Sequence, residues 1–274
     1  MKEIGTIKNT LEIQEKFGLN AKKNFGQNFL IDTNIINRIA SCGNLDNTTC
    51  VIEIGPGIGS LTEYLARKAK KVIAYDIDER LIKVLAYTLA DYPNVEVRLQ
   101  DFLKVDLDEL QEELKDYSKI AVVSNLPYYI TSELITKIML TSLPITTFVG
   151  MMQKEVAQKL TGENQLPLKL LMELNGQVKY EFNVSNQVFI PKPNVDSAVL
   201  SLNFQPVDID KNKFYNLVQA GFKQKRKTIY NNLANALTKE KAKALLEATN
   251  IDQKIRAEQL SLHQWLQMYH YLYD

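Results

Sequence analysis

Between residues 51 and 150, short apolar runs alternate with stretches patterned as amphipathic helices, and this alternation narrows the accessible folds more than any other feature of the chain. Val51-Ile52-Glu53-Ile54, Lys71-Val72-Ile73-Ala74-Tyr75, Val95-Glu96-Val97-Arg98-Leu99, residues 120–124 and Thr147-Phe148-Val149-Gly150 read as strands, with helices predicted over residues 61–69 and 79–90. Strands separated by helices of that length imply right-handed crossovers and a mostly parallel sheet covered on both faces. The fold class expected is therefore α/β and Rossmann-like. Residues 184–189 and 198–204 flank a Pro-rich turn and read as an antiparallel pair at the sheet edge. Beyond Pro206 the patterning is helical only, near residues 212–220, 228–237, 239–248 and 261–271. Two domains are expected, an α/β domain over 1–206 and a small all-helical one over 207–274.

With 274 residues, 45% apolar and 24% charged, the chain has the composition of a soluble globular protein. No apolar run approaches the roughly 20 residues that span a membrane, and the mixed-charge start Met1-Lys2-Glu3-Ile4-Gly5 does not read as a secretory signal. Cys42 and Cys50 are too few and too widely spaced for a metal knuckle or a redox pair, so no metal is expected and both read as reduced thiols of a cytoplasmic protein. The net charge of +1 does not advertise a polyanionic partner. The distribution says more, because counterion release rewards clustered cations. Lys22-Lys23 and Lys223-Gln224-Lys225-Arg226-Lys227 are such clusters, readable either as solvated charge runs or as a grip on a phosphate backbone.

Glu53-Ile54-Gly55-Pro56-Gly57-Ile58-Gly59 joins the first strand to its helix, at the carboxyl edge where doubly wound sheets bind ligands. Gly55 and Gly57 let the backbone turn tightly beside a ligand. A dinucleotide fingerprint would need Gly at position 60, where this chain has Ser60. Asp76 ends the second strand about 20 residues on, placed to accept from ribose hydroxyls. Asp101 ends the third and can accept from the amino group of an adenine moiety. The same carboxylates would also serve as caps of the helices that follow. S-adenosyl-L-methionine suits this set, since its sulfonium needs no anion pocket and the turn holds no Lys or Arg.

After the run Ile120-Ala121-Val122-Val123 comes Asn125-Leu126-Pro127-Tyr128. It offers a side-chain amide, backbone carbonyls and an aromatic face at one strand end, which suit a planar base carrying an amino group. Asn-x-Pro is also an ordinary strand-to-turn signal.

Together with Lys23-Asn24-Phe25-Gly26-Gln27-Asn28-Phe29-Leu30, Met152-Gln153-Lys154-Glu155-Val156-Ala157, Phe189-Ile190-Pro191-Lys192-Pro193-Asn194-Val195-Asp196-Ser197-Ala198-Val199 and Arg226-Lys227-Thr228-Ile229-Tyr230-Asn231-Asn232-Leu233, these motifs cover nearly the whole chain. On them it resembles the ribosomal RNA adenine dimethyltransferases, most closely the bacterial small-subunit branch. The resemblance implies an S-adenosyl-L-methionine-dependent enzyme acting as a monomer on 16S rRNA in immature small subunits. It implies that Asn28 and Leu30 close over the cofactor, with Gly55 and Gly57 beside its methionine part. Asp76 would hold the ribose, where the family more often has Glu, and Asp101 would meet the adenine. Asn125 would serve both cofactor and target, with Leu126, Pro127, Tyr128 and Phe189 completing the catalytic set; Tyr128 and Phe189 would stack on the flipped base. The stretch Leu166-Pro167-Leu168-Lys169-Leu170-Leu171-Met172-Glu173-Leu174 departs from the family's usual Tyr-Gly-x-Leu-Ser segment.

Three other functions compete. A large-subunit resistance methylase shares the fold and chemistry, but Leu126 is more often Ile there. A ribosome-assembly factor would not need Asp76, Asp101 and Asn125 together. A dehydrogenase is disfavoured by Ser60.

Overall fold

The computed structural model describes residues 3–19 and 28–274. The Lys22-Lys23 cluster and residues 23–27 of the first motif lie outside the described residues. In chain order the elements are α1 (Ile7–Phe17), β1 (Phe29–Leu30), α2 (Thr33–Cys42), β2 (Thr49–Ile54), α3 (Ser60–Ala66), β3 (Lys71–Asp76), α4 (Glu79–Thr88), β4 (Val95–Leu99), α5 (Leu107–Leu114), β5 (Lys119–Asn125), α6 (Thr131–Leu140) and β6 (Ile145–Gln153). There follow α7 (Lys154–Thr161), α8 (Pro167–Asn175), β7 (Gly176–Val184), β8 (Phe189–Ile190), β9 (Ser197–Phe204), α9 (Lys211–Phe222), α10 (Ile229–Ala236), α11 (Lys239–Ala248) and α12 (Leu262–Tyr273). They form two compact units, Met1–Ala157 with Val178–Phe204 and Gln158–Gln177 with Gln205–Asp274.

The first unit is built on a seven-stranded sheet in the order β4-β3-β2-β5-β6-β9-β7. Pairings among β2 to β6 are parallel, while β9 runs antiparallel to β6. All six residues of β2 are buried, as expected of a central strand covered on both faces. Helix starts follow local chemistry. Asp32 accepts from the Asn34 and Ile35 amides to cap α2, and Asp78 accepts from Arg80 to cap α4.

The structure corrects the edge pairing. Residues 184–189 are not a strand beside 198–204. The strand ends at Val184, a 3₁₀ turn covers Asn186–Val188, and Phe189 and Ile190 pair with Leu30 and Phe29 in a separate two-stranded ladder. Ser185 causes the break by accepting from the Gln187 amide. The long strand β7, not legible in its mixed pattern, takes the edge, and β9 lies inside it.

The second unit is all helical. Phe214, Leu217, Ile229, Leu245, Trp265 and Met268 form its core, and Trp265 is fully buried. Gly221 makes that possible: a Cβ there would lie 2.3 Å from the indole. Truncating Trp265 to Ala would cost about 3–5 kcal/mol. Residues 158–177, which the sequence reading assigned to the α/β domain, belong to this unit instead. The reason is Leu170, on the atypical 166–174 stretch, which is fully buried in the same core. Pro167 starts that helix, where its missing N–H costs nothing. The basic stretch 223–227 is a turn between α9 and α10.

Candidate active site

Carboxyl ends of β2, β3, β4 and β5 open onto one cavity of about 370 Å³ in the first unit. That lies in the range of small-molecule sites. Asn28, Leu30, Gly55, Gly57, Asp76, Asp101, Asn125, Leu126, Pro127 and Tyr128 all line it. The four strands are adjacent and parallel, so residues some 70 positions apart in the chain meet there.

The Gly turn begins where the Gly55 amide donates to Tyr75 across the sheet, at 2.8 Å. Gly55 and Gly57 have φ of 73° and 60°, left-handed values that disfavour side chains. A Cβ on Gly57 would press on the Phe29 ring at 3.3 Å, and one on Gly55 would meet Pro127 at 3.4 Å. The glycines thus let this turn lie against the Asn125–Tyr128 segment.

Asp76 is buried, 8% exposed, and its carboxylate accepts from the Asp78 amide at 2.8 Å. Burial pushes its pKa up to about 6, against the pull of the Asp78, Ile77 and Gly57 amides. Asp101 accepts from the Leu103 amide at 3.0 Å. Its turn is pinned from α6: the Lys137 ammonium donates to the Leu103 and Val105 carbonyls at 2.9 and 2.6 Å. Burial in turn holds the Lys137 pKa below its usual value.

At the end of β5 the Leu126 amide donates to Met151 at 3.0 Å, and Thr131 donates to the Pro127 carbonyl at 3.0 Å. Both fix the backbone. The Asn125 carboxamide and the Leu126 carbonyl make no hydrogen bond among the described residues. The Tyr128 hydroxyl shares a 2.6 Å hydrogen bond with Ser197, which locks its ring, and burial raises its pKa.

Phe189 is the exception. It is 3% exposed, packed in the hydrophobic core and paired with Leu30, and the structure does not bring it to the cavity. Its extended partner β1 supplies Leu30 to the wall instead.

Some lining residues escaped the sequence reading. Glu53, in the turn motif but given no role there, is 1% exposed with Oε2 unpartnered among the described residues, and burial pushes its pKa up to about 8. Its signal was a carboxylate inside an otherwise apolar strand. Ile77, Leu103 and Tyr129 also line the cavity, each next to or near a residue that was assigned. Tyr129 is half exposed.

Glu53, Asp76, Asp78 and Asp101 line the cavity, and no Lys, Arg or His does among the described residues. A pyrophosphate would find no cation there. A ligand with amino, hydroxyl and cationic groups finds acceptors for each, so the site fits S-adenosyl-L-methionine and not a dinucleotide.

The family model described as ribosomal RNA adenine dimethylase matches residues 18–274. A relative from Bacillus mycoides (strain KBAB4), named ribosomal RNA small subunit methyltransferase A, is 42% identical over 279 residues, covering 97% of this chain and 96% of that protein. A Bacillus cereus (strain B4264) protein of the same name matches equally well. Among solved structures, a dimethyladenosine transferase from Plasmodium falciparum superposes with a TM-score of 0.73 at 25% identity, over 89% of this chain and 96% of that one. The 23S rRNA methyltransferase ErmE gives 0.68 at 28% identity, over 90% and 100%.

Proposed function

Because the chain belongs to the ribosomal RNA adenine dimethylase family, we propose that it dimethylates the exocyclic amines of two adjacent adenines in a loop near the 3′ end of 16S rRNA. It does so with S-adenosyl-L-methionine, as a cytoplasmic monomer acting on the immature small ribosomal subunit. The observation that carries this reading is the Asn125 carboxamide and Leu126 carbonyl, two unpartnered acceptors in the same cavity as the Gly turn, Asp76 and Asp101.

The exocyclic amine of adenine is a poor nucleophile because its lone pair is delocalised into the ring. The Asn125 oxygen and the Leu126 carbonyl accept its two N–H groups, which favours a pyramidal nitrogen with a directed lone pair. Tyr128, held by Ser197, fixes the plane of the base. Asp76 would accept from the ribose hydroxyls of the cofactor and Asp101 from its adenine amine, with Ile77 and Leu103 supplying apolar wall beside them. When bound, S-adenosyl-L-methionine supplies an electrophilic methyl whose bond to sulfur breaks as the nitrogen–carbon bond forms. The extra proton then leaves the nitrogen to water, so no strong base is needed. Positioning and dipole alignment supply most of the rate. Phe189 supports the site from behind through its pairing with Leu30.

A loop adenine is the accessible substrate, since a stacked base cannot enter such a cavity. The Lys223–Lys227 turn and the Lys22-Lys23 segment hold the RNA backbone. Identity of 42% to small-subunit enzymes, against 28% to ErmE, supports the small subunit over the large. Incubating unmodified small and large subunits with the protein and labelled cofactor, then mapping dimethyladenosine by primer extension, tests the reading. Two adjacent stops near the 3′ end of 16S rRNA are expected. Label confined to 23S rRNA would overturn it.

A further inference from the structure

In the second unit, the turn joining α9 to α10 carries Lys223, Lys225, Arg226 and Lys227, all exposed, and none forms an ion pair among the described residues. Four like charges within five residues repel one another, yet the turn is held firmly. Asn232, 2% exposed, accepts from the Gln224 amide at 3.1 Å and donates to the Gly221 and Gln224 carbonyls at 2.6 and 3.2 Å. The Lys227 amide closes the turn onto Gln224 at 3.0 Å.

Thr228 follows directly and lines an open cavity of about 790 Å³. Tyr230 and Asn231 of α10 line it too, with Asp252, Gln253 and Lys254 from the segment after α11. The Asn231 amide donates to the Thr228 hydroxyl at 3.1 Å, which sets its carboxamide in place. The wall therefore offers an aromatic ring and three carboxamides, those of Asn231, Asn250 and Gln253, beside a turn whose cations sit on a held backbone. Glu247 and Asp252 also line it, so an acidic peptide or a lone anion would be repelled from the interior. A neutral planar group with donors and acceptors at its edge would not be.

We propose that this cavity is a subsite for one unpaired nucleotide of RNA. The base packs on Tyr230 with its edge at Asn231 and Gln253, and its phosphates face Arg226 and Lys227. Unpaired bases are read in this way, by stacking on an aromatic ring and hydrogen bonding at the edge. The inference rests on the reading of the chain as an RNA-modifying enzyme, and adds to it a contact remote in sequence from the methyl-transfer residues.

The test uses the full chain and two fluorescent single-stranded RNA pentamers, one complete and one with its central base removed. Anisotropy titrations at one salt concentration are expected to give about tenfold tighter binding of the complete pentamer, the scale of one stacked base. Tyr230→Leu should bring the two probes within about twofold of each other, and the exposed Asn231→Ala should narrow the gap. Arg226→Gln should weaken both probes alike. Equal binding of the two probes by the wild-type protein would overturn the proposal. So would a gap that survives Asn231→Ala together with a folded Tyr230→Leu. Methyl transfer to small subunits, measured alongside, tests the underlying reading separately. Loss of transfer with the gap intact removes the enzyme assignment alone, and the reverse removes the subsite alone.

Discussion

The cavity at the sheet edge and the basic turn of the helical unit are opposite solutions to holding a polar partner. The first gathers four carboxyl groups behind apolar walls, with no cation lining the cavity among the described residues. Burial raises the pKa of two of them, Asp76 to about 6 and Glu53 to about 8. The second displays four cations to solvent, without an ion pair among the described residues, on a backbone held by a buried amide. Buried groups are insulated from salt and sensitive to proton uptake, while exposed ones are screened within about 10 Å at 0.1 M salt. The two regions should therefore answer to different variables: pH for the cavity, ionic strength for the turn.

The largest effect expected is that of Asn125→Ala, which should lower methyl transfer by about 10²–10³-fold, as when one preorganised dipole is lost at a reacting group. Cofactor affinity, measured by calorimetry, should change by no more than a few fold. An equal loss in both would move Asn125 from chemistry to cofactor binding. Asp76→Asn removes a charged acceptor and should weaken cofactor binding by about 10–100-fold, with RNA affinity unchanged. In the wild-type protein, cofactor affinity should fall by up to about tenfold per pH unit below pH 6, because the protonated carboxyl accepts poorly and its proton must leave on binding. A flat profile between pH 5 and 7 would rule Asp76 out as the ribose acceptor.

The double change Arg226→Gln with Lys227→Gln should reduce the slope of log affinity against log salt by about 1.4, from two lost phosphate contacts on a single strand. Cofactor binding should not move. The remaining effect concerns stability. Glu53 binds its proton more tightly folded than unfolded, so stability should decline as pH rises from about 4.5 to about 8 and then level off. Glu53→Gln should flatten that part of the curve in denaturant titrations. A stability curve that rises with pH across the same range would mean that Glu53 is ionised in the folded protein.

Much of the site was legible in the sequence because its parts are strand ends. Once parallel strands are recognised, the residues at or just past the end of each must lie on one edge, so Gly55, Asp76, Asp101 and Asn125 were located by counting. Glu53 was hidden inside a strand, where only side-chain direction reveals that it lines the cavity. The burial of Phe189, outside the cavity lining, was hidden for a related reason. Its motif identifies it, but exposure depends on the ladder with Leu30, a pairing 159 positions long in the chain. The edge strand β7 was missed because an edge strand, half exposed, loses the apolar signal that marks β2 or β5.

By itself the sequence determined the α/β alternation, the Gly turn, the Asn125–Tyr128 segment at the end of its strand and the basic cluster, since each depends on neighbours within a few residues. Tertiary structure decided which strand takes the edge, that residues 158–177 belong with the helical unit through Leu170, and that Asn232 holds the cationic turn. Those outcomes depend on contacts between distant segments, where burial and hydrogen-bond satisfaction choose among local structures that the sequence permits equally.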